Sequence, residues 1–238
     1  SVLYESTRDC RVGLVLPVTA ADMRAEPFGQ IVRELADADY IETIAVSLGL
    51  TNGQEDYLEA LEKIAPLGEK AKLLWTDGPR FENIYQRLCD AGFNLSTQGK
   101  GRGVWTAFGY LLADPQLQAF ALHDCDIVDY DRTILARLCL PMAHPSLDFD
   151  FCKAYYARAT HQLHGRVVRL LVAPLLKSLL MIYGDDPFLN YLSSFRYPLS
   201  GEFAVTASLA KSNRIPCDWG LEVGTLAEVF RNTSIKKV

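Results

Sequence analysis

The first half of the chain alternates short apolar runs with longer segments of helical periodicity, and this alternation restricts the possible folds most. Apolar residues recur at helical spacing over 27–37, 54–65, 81–91 and 104–113, which predicts four helices. Strands that alternate with helices predict an α/β fold with a largely parallel sheet covered on both faces. The predicted strands are "RVGLVLP", "IETIAVSLG", "AKLLWTDG" and "QAFALHD".

The second half is less regular. "LDFDFCKAYYARA" predicts a strand, and "YPLSGEFAVTASLAKS" predicts a loop that enters a helix ending near Asn213. "TLAEVFRN" predicts a further helix. The segment 163–183 predicts one long helix. Its most apolar part, 167–183, has about the length of a membrane span, but Arg169, Pro174 and Lys177 interrupt it. We therefore expect a buried amphipathic helix there and no membrane partner.

Composition excludes some classes of partner. The 238 residues are 49% hydrophobic, which is enough for a sizeable core, and the formal net charge is −5. An acidic chain is not a general nucleic-acid binder, because phosphate backbones select an excess of Lys and Arg. The six cysteines contain no CxxC pair and the first residues show no secretory signal, so we expect free thiols and a cytoplasmic protein.

Polar residues follow the predicted strands. In a parallel sheet, ligands bind outside the carboxyl ends of the strands. We therefore expect Pro17, Ser47, Asp77 and the two aspartates after Leu122 to share one rim.

Those two aspartates, Asp124 and Asp126, form a D-x-D motif. Neighbouring carboxylates repel each other unless a cation or a proton lies between them, and Mg²⁺ or Mn²⁺ takes oxygen ligands of this type. Alone, the motif is equally typical of a solvated strand end. His123 also makes a His-Asp pair found in metal-dependent phosphohydrolases, but the other histidines (His144, His161 and His164) have no matching spacing.

Basic groups beside glycines mark two further candidate anion sites. Lys100 and Arg102 lie in "QGKGRGVW" before a predicted helix, where backbone N–H groups and cations can approach phosphates; a flexible solvated turn is the alternative. Arg166 and Arg169 share one helix face beside Gly165, where they can bind a phosphate or carboxylate. Salt bridges to Asp148 or Asp150 are the alternative there.

Eight motifs, given in chain order at the end of this paragraph, resemble those of glucosyl-3-phosphoglycerate synthases over about residues 12–232. These retaining nucleotide-sugar glycosyltransferases have the A-type fold, so the resemblance implies a Rossmann-like, mostly parallel sheet flanked by helices with a smaller acceptor-binding C-terminal part. Within one catalytic domain, 1–130 would bind the nucleotide sugar and 131–238 the acceptor. The motifs are "VLP", "WTDGPR", "GKGRGVWTAFGYLLA", "LHDCDI", "DFDFCKAYYARA", "GRVVRLLVAPLL", "YPLSGEFA" and "DWGLEVG".

The resemblance implies transfer of glucose from UDP- or GDP-glucose to 3-phosphoglycerate, with a divalent metal (Mg²⁺ or Mn²⁺), in a homodimer. Pro17 and Ser47 would lie against the nucleoside, and Lys100 near the nucleotide. Asp124 and Asp126 would hold the metal on the donor diphosphate. The product would be the precursor of the compatible solute glucosylglycerate.

On the acceptor side, the resemblance implies that Gly165 and Arg166 bind the acceptor's phosphate or carboxylate. Trp219, Gly220 and Glu222 would border the glucose and the acceptor. With Asp126, the side chains of Arg166 and Glu222 are therefore those we expect to support catalysis.

Three departures from the family pattern concern the same site. Val168, expected beside the acceptor, stands where relatives often have Thr, and Trp219 stands where Tyr is common. Relatives also supply a metal-binding His beyond the region that corresponds to "NTSIKKV", so we expect the third protein ligand to be missing from this sequence or replaced by another group.

Other functions remain open from the sequence. A mannosyl-3-phosphoglycerate or mannosylglycerate synthase would use the same metal and diphosphate chemistry. A non-catalytic nucleotide-sugar binder would be expected to lose the metal carboxylates or phosphate cations, which are present here. A sugar nucleotidyltransferase would carry a glycine-rich loop after the first strand, where "LPVTAADMRAEP" has no glycine.

Overall fold

The computed structural model describes residues 5–7, 9–155, 165–217 and 220–238. Their framework is a six-stranded sheet in the order β3-β2-β1-β4-β6-β5. β3, β2, β1 and β4 run parallel, while β6 pairs antiparallel with both β4 and β5. The strands are β1 Arg11–Thr19, β2 Ile41–Gly49, β3 Ala71–Trp75, β4 Leu117–Leu122, β5 Phe151–Lys153 and β6 Phe203–Thr206.

Helices cover both faces of this sheet. One buried cluster contains Leu14 and Leu16, and a second contains Val15 and Ala45, because successive side chains of a strand point to opposite faces. The α/β architecture with a mostly parallel sheet is thus confirmed. The helices are α1 Glu26–Ala36, α2 Gln54–Ile64, α3 Pro79–Asp90, α4 Lys100–Leu112, α5 Arg132–Ala143, α6 Ala173–Tyr183, α7 Pro187–Ser194, α8 Ala207–Ser212 and α9 Leu221–Asn232.

Strand β6 corrects the prediction of a loop at the start of "FAVTASLAKS". Its four residues are too few to show strand periodicity, and they become a strand because β4 and β5 pair with them from either side. The sheet therefore runs continuously from the first half of the chain into the second.

Helix α4 begins four residues earlier than predicted. Gly101 lies in its first turn. Only glycine fits this position, because a Cβ here would overlap the carbonyl of Pro216. The Arg102 N–H donates to the Cys217 carbonyl at 3.0 Å. These glycines allow close packing of a helix start, so the flexible turn considered from the sequence is wrong.

The apolar segment before and within α6 is helical from residue 166, with a π-helical stretch at Val168–Val172. Leu176 is buried, but Leu170 is 72% and Met181 88% exposed. The expected burial is therefore wrong for much of this helix, and residues 163–164 lie outside the described part. Among the helices that the structure describes, none is long and apolar enough to cross a membrane.

Candidate active site

A cavity of about 720 Å³ opens where the parallel strands end. This volume is within the usual range for small-molecule sites. The predicted rim is confirmed, because five residues from four strand ends line the cavity together: Pro17, Ser47, Asp77, Asp124 and Asp126.

A buried histidine, His123, hydrogen-bonds to the backbone of the D-x-D turn. Cys125 packs into the core, while Asp126 is exposed and Asp124 partly exposed. His123 Nδ1 lies 2.9 Å from the Asp124 carbonyl, which can only accept, so Nδ1 carries the proton. His123 Nε2 then accepts from the Tyr130 hydroxyl at 3.1 Å. Both ring nitrogens are engaged, which argues against the phosphohydrolase alternative.

A lysine lies among the carboxylates of the cavity. Lys100 Nζ is 2.6 Å from Asp124 Oδ1 and 3.3 Å from Glu222 Oε1. Burial opposes the charge of this ammonium, but Asp124 and Glu222 outweigh burial and raise the pKa of Lys100. Lys100 is therefore cationic at neutral pH and can bind an anion at the D-x-D turn. Glu222 reaches this position because it is in the first turn of α9.

The carboxylates suit a metal that is shared with a substrate. Within the described ranges, no group of three or more His, Cys, Asp or Glu side chains is arranged to hold a metal ion. Asp124 and Asp126 supply two hard oxygen ligands, and Mg²⁺ is commonly held by one or two carboxylates together with substrate phosphates and water. The donor set fits a divalent metal on a diphosphate, without a third ligand from the described residues.

One wall of the cavity lies between β2 and α4. Ser47 is buried, and a Cβ added to Gly103 would lie 2.6 Å from Ser47 Oγ. Asp77 is oriented by Thr51, whose N–H and hydroxyl donate to its two carboxylate oxygens at 2.9 Å each. These contacts fix the side chains of this wall.

Arg102 differs from the sequence expectation. It borders the cavity, but its guanidinium is buried, donates to the Leu95 carbonyl at 3.1 Å and stacks 4.4 Å from the centroid of the Tyr85 ring. These partners give Arg102 a packing role in α4 in place of the expected approach to a phosphate.

The predicted acceptor residues lie elsewhere. In the described part of the chain, Gly165, Arg166, Val168 and Gly220 do not line this cavity. Arg166 is exposed in the helical turn after Gly165, and Val168 is buried. Trp219 lies outside the described residues.

The salt-bridge alternative for the arginine pair concerned Asp148 and Asp150. Lys237 Nζ lies 3.1 Å from Asp148 and 4.0 Å from Asp150. These carboxylates therefore pair with Lys237 and not with Arg166. The exposed guanidinium of Arg166 stays compatible with the predicted binding of an anionic acceptor.

The loop 197–202, here called the connecting loop, joins the two sets of residues. A Cβ added to Gly165 would lie 3.6 Å from the Tyr197 ring. At the other end of the loop, a Cβ on Gly201 would overlap the Asp124 carboxylate and lie 3.0 Å from Lys100 Nζ. The loop lies in the motif "YPLSGEFA", for which the sequence indicated no role. The sequence also gave no indication of Asp22, which lines the cavity.

Comparison with solved structures identifies the class of fold. The chain superposes with a TM-score of 0.71 on glucosyl-3-phosphoglycerate synthase of Mycobacterium tuberculosis in complex with Mn²⁺, UDP and glucosyl-3-phosphoglycerate, at 17% identity, covering 100% of this chain and 72% of that one. A complex of the same enzyme with Mn²⁺, UDP-glucose and phosphoglyceric acid gives 0.69 at 19% identity, covering 99% and 70%. The fold is thus the A-type glycosyltransferase fold.

Sequence comparison narrows the class. The chain is 45% identical over 225 residues to glucosyl-3-phosphoglycerate synthase of Persephonella marina and 39% identical over 229 residues to that of Methanococcoides burtonii. Each alignment covers 94% of this chain but 56% of the relative, so the chain spans little more than half the length of these relatives. No protein-family model matches the chain. The resemblance to glucosyl-3-phosphoglycerate synthases is confirmed.

Proposed function

We propose that the protein is a metal-dependent, retaining glucosyltransferase that moves glucose from a nucleoside-diphosphate glucose to the 2-hydroxyl of 3-phosphoglycerate. The product is glucosyl-3-phosphoglycerate, the precursor of glucosylglycerate. The observation that carries this proposal is the cluster of Lys100, Asp124, Asp126 and Glu222 in one cavity at the parallel strand ends. The similarity to glucosyl-3-phosphoglycerate synthases supports it.

The donor occupies the cavity in this proposal. Pro17 and Ser47 contact the nucleoside, and Asp124 and Asp126 hold Mg²⁺ or Mn²⁺ against the diphosphate. When bound, this metal neutralises the leaving diphosphate. Lys100 adds a cation at the same position, and fixed charges aimed at a developing charge are often the largest catalytic contribution.

The acceptor approaches from the side of the connecting loop. Gly165 and Arg166 bind its phosphate or carboxylate at a helix start, beside Val168. Glu222 accepts hydrogen bonds from hydroxyl groups, with Trp219 and Gly220 bordering the same region. In this proposal, 1–130 binds the nucleotide sugar and 131–238 the acceptor.

The transfer itself needs no protein nucleophile. The 2-hydroxyl oxygen of the acceptor forms a bond to the anomeric carbon while the bond from that carbon to the diphosphate oxygen breaks. The hydroxyl proton passes to the departing diphosphate. Attack on the face from which the diphosphate leaves retains the configuration.

Three finer points belong to the proposal. UDP-glucose with Mn²⁺ is the first donor and metal to try, because the Mycobacterium tuberculosis enzyme was crystallised with both. A cytoplasmic location suits a sequence whose six cysteines contain no CxxC pair. We also propose a homodimer, which light scattering during size-exclusion chromatography would test.

A matrix of donors and acceptors tests the function. Purified protein is incubated with UDP- or GDP-linked glucose or mannose and with 3-phosphoglycerate or glycerate, in Mn²⁺ or in EDTA, and nucleoside diphosphate release is measured. We expect release only with a glucose donor, 3-phosphoglycerate and metal. Preference for mannose or glycerate would identify the rival synthases. Nucleotide binding without turnover would favour the non-catalytic binder.

A further inference from the structure

The connecting loop lies beside both the D-x-D turn and Gly165, so whatever fixes the loop also fixes their separation. We propose that Lys153 is a positioning residue for the transfer reaction, which holds the connecting loop against Asp124 and Lys100 through the Ser200 carbonyl. This inference rests on the proposed function and adds a residue to it.

The anchoring contact is direct. Lys153 is the last residue of the edge strand β5, and its Nζ donates to the Ser200 carbonyl at 2.6 Å. The ammonium also lies 5.9 Å from the centroid of the Phe203 ring. Next to it, the Ala154 N–H donates to the Glu202 carbonyl at 3.0 Å. The end of β5 thus binds two backbone carbonyls of the loop, those of Ser200 and Glu202.

Hydrogen bonds within the loop link Ser200 to its neighbours, so a displacement of Ser200 also displaces them. The Ser200 N–H donates to the Tyr197 carbonyl at 3.1 Å, and the Ser200 hydroxyl donates to the Glu202 carboxylate at 2.5 Å. Between Ser200 and Glu202 lies Gly201, where an added Cβ would overlap the Asp124 carboxylate and lie 3.0 Å from Lys100 Nζ. Release of Ser200 therefore frees the segment that packs on the metal carboxylate.

The surroundings of Lys153 disfavour a charged ammonium group, although a side chain that only filled space would need no charge. Burial lowers its pKa from 10.5 to about 8, and the nearby Lys100 acts in the same direction. Glu222, Glu202 and Asp124 oppose this shift without cancelling it. A cation kept here costs free energy that an apolar side chain of the same length would avoid.

Lys70 provides a matched control. Its Nζ donates to the carbonyls of Leu35, Ala36 and Ala38 at 2.7, 3.1 and 3.2 Å, at the end of α1 and away from the cavity. Burial lowers the pKa of Lys70 as well. Lys70→Met and Lys153→Met both remove an ammonium that satisfies backbone carbonyls, but only the second releases the connecting loop.

The test compares wild type, Lys153→Met, Lys153→Arg and Lys70→Met. We measure Tm, steady-state kinetics with UDP-glucose, Mn²⁺ and 3-phosphoglycerate, the Kd of UDP with Mn²⁺, and hydrogen exchange of the amides in 199–202. For Lys153→Met we expect kcat to fall by roughly 10- to 100-fold, because small misplacements of reacting groups have effects of this size. The Kd of UDP should stay within about twofold, since the nucleoside contacts are intact.

Faster exchange in the loop of Lys153→Met and partial recovery of kcat in Lys153→Arg would support the inference. Lys70→Met should lose Tm and keep its kcat. Equal losses of Tm in both Met variants with an unchanged kcat would overturn the inference, as would unchanged loop exchange. Absence of turnover in wild type would instead contradict the proposed function, and the exchange measurement would still decide the role of Lys153.

Discussion

The proposed nucleotide side of the candidate site rests on the ends of parallel strands, whereas the proposed acceptor side rests on a helix start and a loop. Pro17, Ser47 and Asp126 all reach one cavity because β1, β2 and β4 are hydrogen-bonded neighbours. Arg166 lies outside that cavity, and the connecting loop links the two sides. In the proposed function, the sheet therefore positions the donor directly, while the acceptor is positioned through the connecting loop.

The largest expected effect is on the side built from strands. Asp126→Asn removes a metal carboxylate from an exposed position and should lower kcat/KM by about 10²- to 10³-fold, because the charge of the leaving diphosphate is then less well neutralised. Steady-state release of UDP at saturating Mn²⁺ measures it. Asp39→Asn, at an exposed position before β2, is the control. Full metal-dependent turnover in Asp126→Asn would rule out the D-x-D metal site.

A smaller effect is expected where the two sides meet. Gly201→Ala places a methyl group against the Asp124 carboxylate and Lys100, and should lower kcat by roughly tenfold and raise the Mn²⁺ concentration for half-maximal rate. A titration of the rate with Mn²⁺ measures both. The matched variant is Gly109→Ala, because a Cβ there meets nothing within 4 Å. If the two variants behave alike, the connecting loop does not constrain the metal site.

On the acceptor side we expect a change in binding. Arg166→Ala removes a cation for the acceptor's phosphate or carboxylate and should raise the KM for 3-phosphoglycerate about tenfold, the usual scale for a charged hydrogen bond. The Kd of UDP should not change, as isothermal titration calorimetry would measure. Lys177→Ala, exposed on α6, is the control. An unchanged KM would remove Arg166 from the acceptor site.

The smallest effect concerns stability and pH. Lys153 has a pKa of about 8 in the folded protein and 10.5 as its ordinary value, with burial as the main cause. Between these values the unfolded chain binds more protons, so the contribution of Lys153 to the free energy of unfolding rises with pH in this window. Denaturant unfolding of wild type and Lys153→Met at about pH 7 and about pH 9.5 tests the sign. If the difference in free energy of unfolding between wild type and Lys153→Met is the same at both pH values, the expected pH dependence is contradicted.

The strand side could be predicted from the sequence and the rest could not, for physical reasons. β2 was predicted at its observed bounds and β3 lies within its predicted run, because buried strands leave a local pattern. β1 continues two residues past the predicted end at Pro17, and β4 begins one residue before the predicted start at Gln118. Their parallel order then implied the shared rim. β6 and the contact of Lys153 with Ser200 depend on pairing between distant segments, which leaves no local pattern. The glycines of α4 indicated a loop because the packing partner, Pro216, is far along the chain.

In the proposed function, the rim binds a nucleoside diphosphate through a divalent metal on Asp124 and Asp126. Isothermal titration calorimetry of UDP into the protein, in Mn²⁺ and in EDTA, tests it most directly. We expect Mn²⁺ to tighten UDP binding by about tenfold or more and Asp126→Asn to lose this gain, since the metal would join the carboxylates to the diphosphate. Equal affinity with and without metal in the wild-type protein would contradict it.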